Sequence, residues 1–274
     1  MTGSAVASGP ALRVVTATRY VTPFREGGSL PGLVEADDDG LYVVKFKGAG
    51  QGPRVLVAEW LAGEIARALG LLVPEIVAVD LAKAIADPEP DQEIHDLLVA
   101  SVGRNIGLDF LPGALTFNPA IDRVADPEWA AAVVWLDGLV TNPDRSPKNP
   151  NLLTWHGRTW LIDHGASLYI HHTWRDPAAH ARRPHTERLA DHVLLPVASS
   201  IAAADERLTP LVTDALLESL VAAVPDDWLA PDPVIGTADE QRRAYVAYLR
   251  GRLESPRPFV DSAEALRRAA AAAA

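Results

Sequence analysis

Residues 12–20 are rich in valine and threonine, and this β-branched run predicts a strand. Apolar residues return at 33–36 and again at 41–46. Between them Asp37-Asp38-Asp39-Gly40 reads as a hairpin turn, so two further strands are expected. The period then changes. Over residues 54–69 the apolar positions Val57, Trp60, Leu61, Ile65 and Leu69 fall on one helical face, and Gly70 closes the run. A strand is expected at 73–80, an acidic, proline-bearing loop at 86–92, a short helix at 93–100, and a strand at 107–113 leading into a crossing segment. After Pro119 the pattern turns helical. An amphipathic helix over 127–140 delivers the chain directly into Asn142-Pro143-Asp144. Residues 152–155 and 159–162 read as a hairpin around His156-Gly157, followed by helices at 201–205, 208–224 and 240–253. The alanine run 269–274 reads as a fraying helix end, and no internal repeat is present.

Composition narrows the class of protein. In 274 residues, 48% are hydrophobic, enough for a packed core in one large domain or two coupled lobes. The formal net charge of −11 argues against nucleic acid or an anionic membrane as a general partner, since both recruit basic surfaces. Without cysteine there is no disulfide framework, thiolate metal site or thiol nucleophile, which fits a reducing cytoplasm. Residues 1–10 are small and polar without a basic region, so no signal peptide is expected, and the apolar run at 129–136 is too short to span a bilayer.

The chemistry concentrates in Asn142-Pro-Asp144-Arg-Ser-Pro-Lys-Asn149-Pro-Asn151-Leu-Leu and, shortly after, Trp160-Leu-Ile-Asp163-His-Gly165. Phosphoryl transfer from a metal-bound nucleotide needs one carboxylate to orient the attacking hydroxyl, and an amide oxygen plus a second carboxylate to hold the metal. Asp144 suits the first role, Asp163 the second carboxylate, and Asn149 and Asn151 compete for the amide. Asn149 lies five residues after Asp144, as in protein-kinase loops; Asn151 immediately precedes the apolar pair Leu152-Leu153, the strand context of those loops. Upstream, Lys45 sits mid-strand, where a charged residue faces solvent or serves a ligand. A clamp on nucleotide phosphates would need a carboxylate from the next helix, Glu59 or, as the alternative, Glu64. Gly27-Gly28-Ser29 is a candidate phosphate-covering loop, with backbone N–H groups as donors.

Other features carry rival readings. His164, His171, His172, His180 and His185 invite a zinc or histidine-dependent hydrolase, but match no HExxH spacing. Arg175, Arg182, Arg183 and Arg188 read either as a solvated loop or as contacts for an acidic or phosphorylated substrate.

Tyr42-Val-Val-Lys45-Phe46, the segment from Ala58-Glu59-Trp60 through Leu69-Gly70 to Val73-Pro74, Asn142-Pro-Asp144-Arg145 with Asn149, and Ile162-Asp163-His164-Gly165 together resemble the HipA-like kinases, over roughly residues 12–190. The Asp-Arg pair followed by Ile-Asp-His-Gly is also similar to lipid-kinase loops. The resemblance implies an α+β, two-lobed protein-kinase-like fold. A small antiparallel-sheet N-lobe would occupy residues 1–112 and a mostly helical C-lobe residues 113–274. It implies ATP and Mg²⁺ as cofactors, Asp144, Lys45 and Glu59 as catalytic residues, Gly27, Gly28, Ser29 and Lys45 at the nucleotide, and Asn149, Asn151 and Asp163 at the metal. It implies γ-phosphate transfer to a hydroxyl, that of a protein serine or threonine first. A small-molecule acceptor and a nucleotide-binding regulatory pseudokinase are the alternatives. Some relatives autophosphorylate a serine in the glycine loop, and Ser29 occupies a comparable place.

Overall fold

The computed structural model describes residues 11–24, 30–50, 52–122, 124 and 126–273. The chain runs β1 (Arg13–Pro23), β2 (Gly32–Ala36), β3 (Leu41–Lys45), α1 (Arg54–Ala68), β4 (Ile76–Leu81), α2 (Gln92–Ala100), β5 (Gly103–Asp109), β6 (Leu115–Thr116), α3 (Pro127–Val140), β7 (Leu152–Trp155) and β8 (Arg158–Leu161). Six helices follow: α4 (Pro177–Ala181), α5 (Thr186–Leu189), α6 (Ile201–Leu208), α7 (Asp214–Ala222), α8 (Ala238–Leu253) and α9 (Pro258–Ala273).

Local chemistry explains most boundaries. The Asp37–Gly40 turn joins β2 to β3, and their pairing sets Val34 opposite Tyr42. Helix α3 begins at Asp126, whose carboxylate accepts from the N–H groups of Glu128 and Trp129, with Pro127 at the first helical position. It ends at Thr141 in the left-handed conformation, φ 57°. A capping box at Thr237 and Glu240 opens α8.

The strands at the start of the chain do not form the wholly antiparallel sheet that the family resemblance implies. β1 pairs β2 antiparallel on one side and β4 in parallel on the other, so β1-β2-β3-β5-β4 closes into a barrel. Local periodicity reports which face of a strand is apolar, not which distant strand it meets. Closure fills the barrel interior with Val15, Val34, Tyr42, Val44, Val77 and Val79 and removes the sheet edges. Smaller differences have equally local causes. The strand expected at 73–80 starts at Ile76, because Pro74 has no N–H for the ladder. The strand expected at 107–113 runs instead from Gly103 to Asp109. The single helix expected over 208–224 is broken at Pro210 into a short 3₁₀ turn and α7, which Thr213 caps anew. The terminal helix begins at Pro258, well ahead of the alanine run, and buries Phe259, Val260 and Ala263.

A second core joins α1 to α3, α6, α7, α8 and α9. Helix α1 is buried along almost its whole length, because the barrel covers one side and the helical body the other. A charged residue within its buried stretch, Leu56 to Ala66, is therefore forced to find a partner inside the protein. Among the described residues no helix is long and apolar enough to cross a membrane.

Candidate active site

Alternation along β3 turns Tyr42 and Val44 into the barrel, and Val43 and Lys45 onto the opposite face, against α1 and the loop after β8. Lys45 Nζ lies 2.5 Å from Glu59 Oε2 on α1 and 2.5 Å from Asp163 Oδ1. Lys45 and Glu59 are buried, while the Asp163 side chain is 43% exposed. Burial alone would favour the neutral amine, but the Glu59 and Asp163 charges reverse this and raise the Lys45 pKa. Burial would likewise raise the Glu59 carboxyl; the Lys45 charge and the His164 hydrogen bond instead hold it well below the usual carboxylate range. Glu64 is not the partner. It lies five positions on, about 140° around the helix, and pairs with Arg67 at 3.2 Å.

The second oxygen of Glu59 fastens the Asp163 loop. His164 N–H donates to Glu59 Oε1 at 3.1 Å, and its ring Nδ1 lies 3.4 Å from the same atom. Gly165 lets the first turn of α1 approach this loop, since a Cβ there would lie 2.5 Å from Val55 Cγ1. Asp163 itself adopts the left-handed conformation, φ 55°. This sparsely populated backbone state is held by its surroundings, as at many functional sites.

Asp144 lies half-buried on the loop after α3. Its N–H donates to Asn142 Oδ1 at 3.0 Å, and its Oδ1 accepts from Asn149 Nδ2 at 2.9 Å. Asn149 is exposed. Asn151 is buried and left-handed, φ 49°, and its Nδ2 donates to the Asp144 carbonyl at 2.6 Å. Asn151 Oδ1 and Asp163 Oδ2 have no partner among the described residues.

Beneath this loop lies an ion pair that sequence reasoning missed. Arg145 and Asp137 are both completely buried, with Nε 2.5 Å from Oδ2. Asp137 also accepts from Asn142 Nδ2 at 3.0 Å and from His192 Nε2 at 3.0 Å, and Arg145 donates to the Asn151 carbonyl at 2.7 Å. His192 Nδ1 accepts from Leu194 N–H, which leaves Nε2 as the protonated nitrogen facing Asp137. The signal was Asp137 itself, a lone acid among the Ala, Val, Trp, Leu and Gly residues of 130–140.

Two cavities meet at Lys45 and Asp163. One, about 400 Å³, has apolar walls from Val43, Leu108, Phe110, Leu111, Leu152 and Ile162, with Asn149 and Asn151 at its polar end. The other, about 180 Å³, lies between Asp144, Asp163 and the β3–α1 connection. Gly27, Gly28 and Ser29 lie outside the described residues.

The histidines do not converge. Among the described residues no group of three His, Cys, Asp or Glu could hold a metal ion. His171 bonds Tyr245, His180 bonds Tyr248, and the His180 and His185 rings lie 4.3 Å apart. Of the arginines, Arg182 pairs with Glu254 and Arg188 stacks 4.6 Å over Tyr169.

Three comparisons bear on this geometry. Over 94% of this chain and 99% of the other, the fold is similar to the Helicobacter pylori proinflammatory kinase CtkA, at 13% sequence identity and a TM-score of 0.54. A Golgi casein kinase aligns over 89% of this chain and 71% of its own at 12% identity, with a TM-score of 0.37, too low to define a common fold. No curated protein matches the sequence. The family model for HipA-like kinases matches residues 18–253, and the chain belongs to the HipA-like kinase family.

Proposed function

We propose that this kinase transfers the γ-phosphate of ATP, with Mg²⁺, to a hydroxyl group of a protein serine or threonine. The carrying observation is Lys45, held at once by Glu59 from α1 and by Asp163 from the loop after β8. A single buried ammonium thus fixes the relation between barrel, helix and metal-side loop.

In this reading the larger cavity takes the nucleotide base between apolar walls, and the N–H of Leu111, unpaired among the described residues, is available to donate to it. Lys45 exchanges part of its hold on Asp163 for the α- and β-phosphates, while Glu59 keeps it in place. The donor set fits a magnesium ion. Asp163 Oδ2 and Asn151 Oδ1 are unpaired hard oxygen ligands beside the Asp144 carboxylate, and the site carries three carboxylates against one ammonium. When bound, Mg²⁺ would neutralise phosphate charge. We assign the amide ligand to Asn151, whose rotamer is fixed by the Asp144 carbonyl, and give exposed Asn149 the task of orienting Asp144. Asp144 accepts the proton of the acceptor hydroxyl as its oxygen bonds to the γ-phosphorus and the bridging oxygen leaves with ADP. Residues 1–112 and 113–274 act as the two lobes that bracket the nucleotide, and the enzyme works in the cytoplasm. The serine or threonine acceptor is supported by the family resemblance, and a small-molecule acceptor is the reading it competes with.

Thermal shift tests the nucleotide half of this proposal. ATP with Mg²⁺ raises the melting temperature more than ATP with EDTA; equal shifts, or none, contradict it.

A further inference from the structure

The connection from β3 to α1 reads Lys47-Gly48-Ala49-Gly50-Gln51-Gly52-Pro53, and its three glycines do different things. Gly48 is required by packing. A Cβ there would lie 2.8 Å from Ser101 Oγ and 2.9 Å from Ala100 Cβ, and its N–H donates to Ser101 Oγ. Gly50 is different: a Cβ there would meet nothing within 4 Å, so no packing constraint excludes a side chain. Gly52 likewise faces open space, at φ 68°. Ala49, Gly50 and Gly52 instead line the 180 Å³ cavity that Lys45, Asp144 and Asp163 also line. Among the described residues, Ala49, Gly50 and Gly52 thus present little besides backbone to the cavity that Asp144 and Asp163 also line. The N–H of Gly50 has no acceptor among the described residues.

Charge explains what such a lining is for. Lys45 is already shared between Glu59 and Asp163, so a phosphate entering beside Asp144 and Asp163, even with Mg²⁺ at those carboxylates, has oxygens left for further donors. On this side of the cavity the described residues Ala49, Gly50 and Gly52 offer only peptide groups as donors beyond Lys45. Val55 and Leu56 from the first turn of α1 line the same cavity. That turn has neither a side-chain cap nor an acidic residue, so its positive end is uncompensated.

We propose that Ala49, Gly50 and Gly52 hold the terminal phosphoryl group of the nucleoside triphosphate through their peptide groups, in the cavity that Asp144 and Asp163 also line. This rests on the nucleotide reading above and adds a phosphate-binding element outside the Gly27-Gly28-Ser29 segment.

The test compares ATP and ADP affinity, both with Mg²⁺, in the full chain and in Gly50→Val, which adds a branched side chain to a residue lining the cavity. Gly50→Ala serves as the milder variant if Gly50→Val lowers the nucleotide-free melting temperature. The expected result is a loss of ATP affinity of about tenfold or more for Gly50→Val, as for one or two charge-assisted hydrogen bonds, and a smaller loss in the same direction for Gly50→Ala. ADP affinity stays within about twofold in both. Equal losses for ATP and ADP, no loss for either, or a defect confined to acceptor turnover would each overturn the inference while leaving the nucleotide reading intact. A wild-type chain that binds neither nucleotide would instead overturn the nucleotide reading and this inference with it.

Discussion

Arg145 donates to Asp137 across 2.5 Å in a pocket closed to water, directly below the loop that carries Asp144 and Asn151. The pair brackets the loop at both ends, because Asp137 also binds Asn142 and Arg145 also binds the Asn151 carbonyl. Burial would raise the Asp137 carboxyl, but Arg145 and His192 hold it well below the usual range, so it stays ionised. A buried ion pair adds little over an apolar pair of similar volume, whereas removing one partner strands the other.

Asp137→Asn is therefore expected to destabilise the fold by about 3–5 kcal/mol in urea titrations. It is also expected to lower kcat by more than about tenfold, because the loop it holds carries Asp144 and Asn151. An unchanged kcat would remove Asp137 from the positioning role.

Lys45 and Glu59 give a sharper contrast between stability and activity. Lys45→Met alone leaves Glu59 buried against His164 without its cation, at a cost of about 3–5 kcal/mol. The double variant Lys45→Met/Glu59→Leu is expected to recover most of that stability and none of the activity. Calorimetry and a transfer assay on the same samples check both halves; a double variant as unstable as the single one contradicts the account of the pair.

Asn149 and Asn151 separate by their magnesium requirement. Asn151→Ala is expected to raise the Mg²⁺ concentration for half-maximal activity by at least about tenfold, while Asn149→Ala leaves it within about twofold and lowers kcat. The reverse pattern assigns the metal to Asn149.

Much of this site was legible in the sequence. Lys45 stood out because an ammonium within a β-branched strand has few uses, and α3 spans residues 127–140 as expected, though it is buried on every side from Ala130 to Val140 rather than amphipathic. Asp144 and Asp163 followed from order and spacing. The choice between the asparagines did not, because residue offset and strand context disagree, and the contact that favours Asn151 in the proposed role is to a backbone carbonyl that has no sequence signature. Barrel closure was hidden for a similar reason: the β1–β4 pairing joins segments about sixty residues apart. His192 meets Asp137 across 55 positions, and nothing local marks either as the other's partner.

Acid should weaken the fold in two ranges. Burial pushes His171 well below its ordinary value of 6.5 and, with the neighbouring His185 and Arg188, His180 down to about 4. Between pH 6.5 and 4 the unfolded chain takes up protons that the folded one refuses, so stability present above pH 6.5 declines as the pH falls. Asp137 and Glu59, depressed in the native state, add a further loss below the ordinary carboxylate range. Melting temperature is expected to fall from pH 7 to pH 4, and His180→Gln to flatten the upper part of that slope. A flat wild-type profile between pH 6.5 and 4 contradicts the placement of these histidines.

The central claim is that Asp144 faces a hydroxyl and an ATP γ-phosphate. The most direct measurement is phosphate transfer from γ-labelled ATP to a protein acceptor by the wild type and by Asp144→Ala, with nucleotide binding measured on the same preparations. Mg²⁺-dependent incorporation into serine or threonine is predicted for the wild type. A fall of about 10²- to 10⁴-fold is predicted for Asp144→Ala, with ATP affinity retained. Transfer that survives Asp144→Ala undiminished, or a wild type that binds Mg-ATP and transfers nothing, would contradict it.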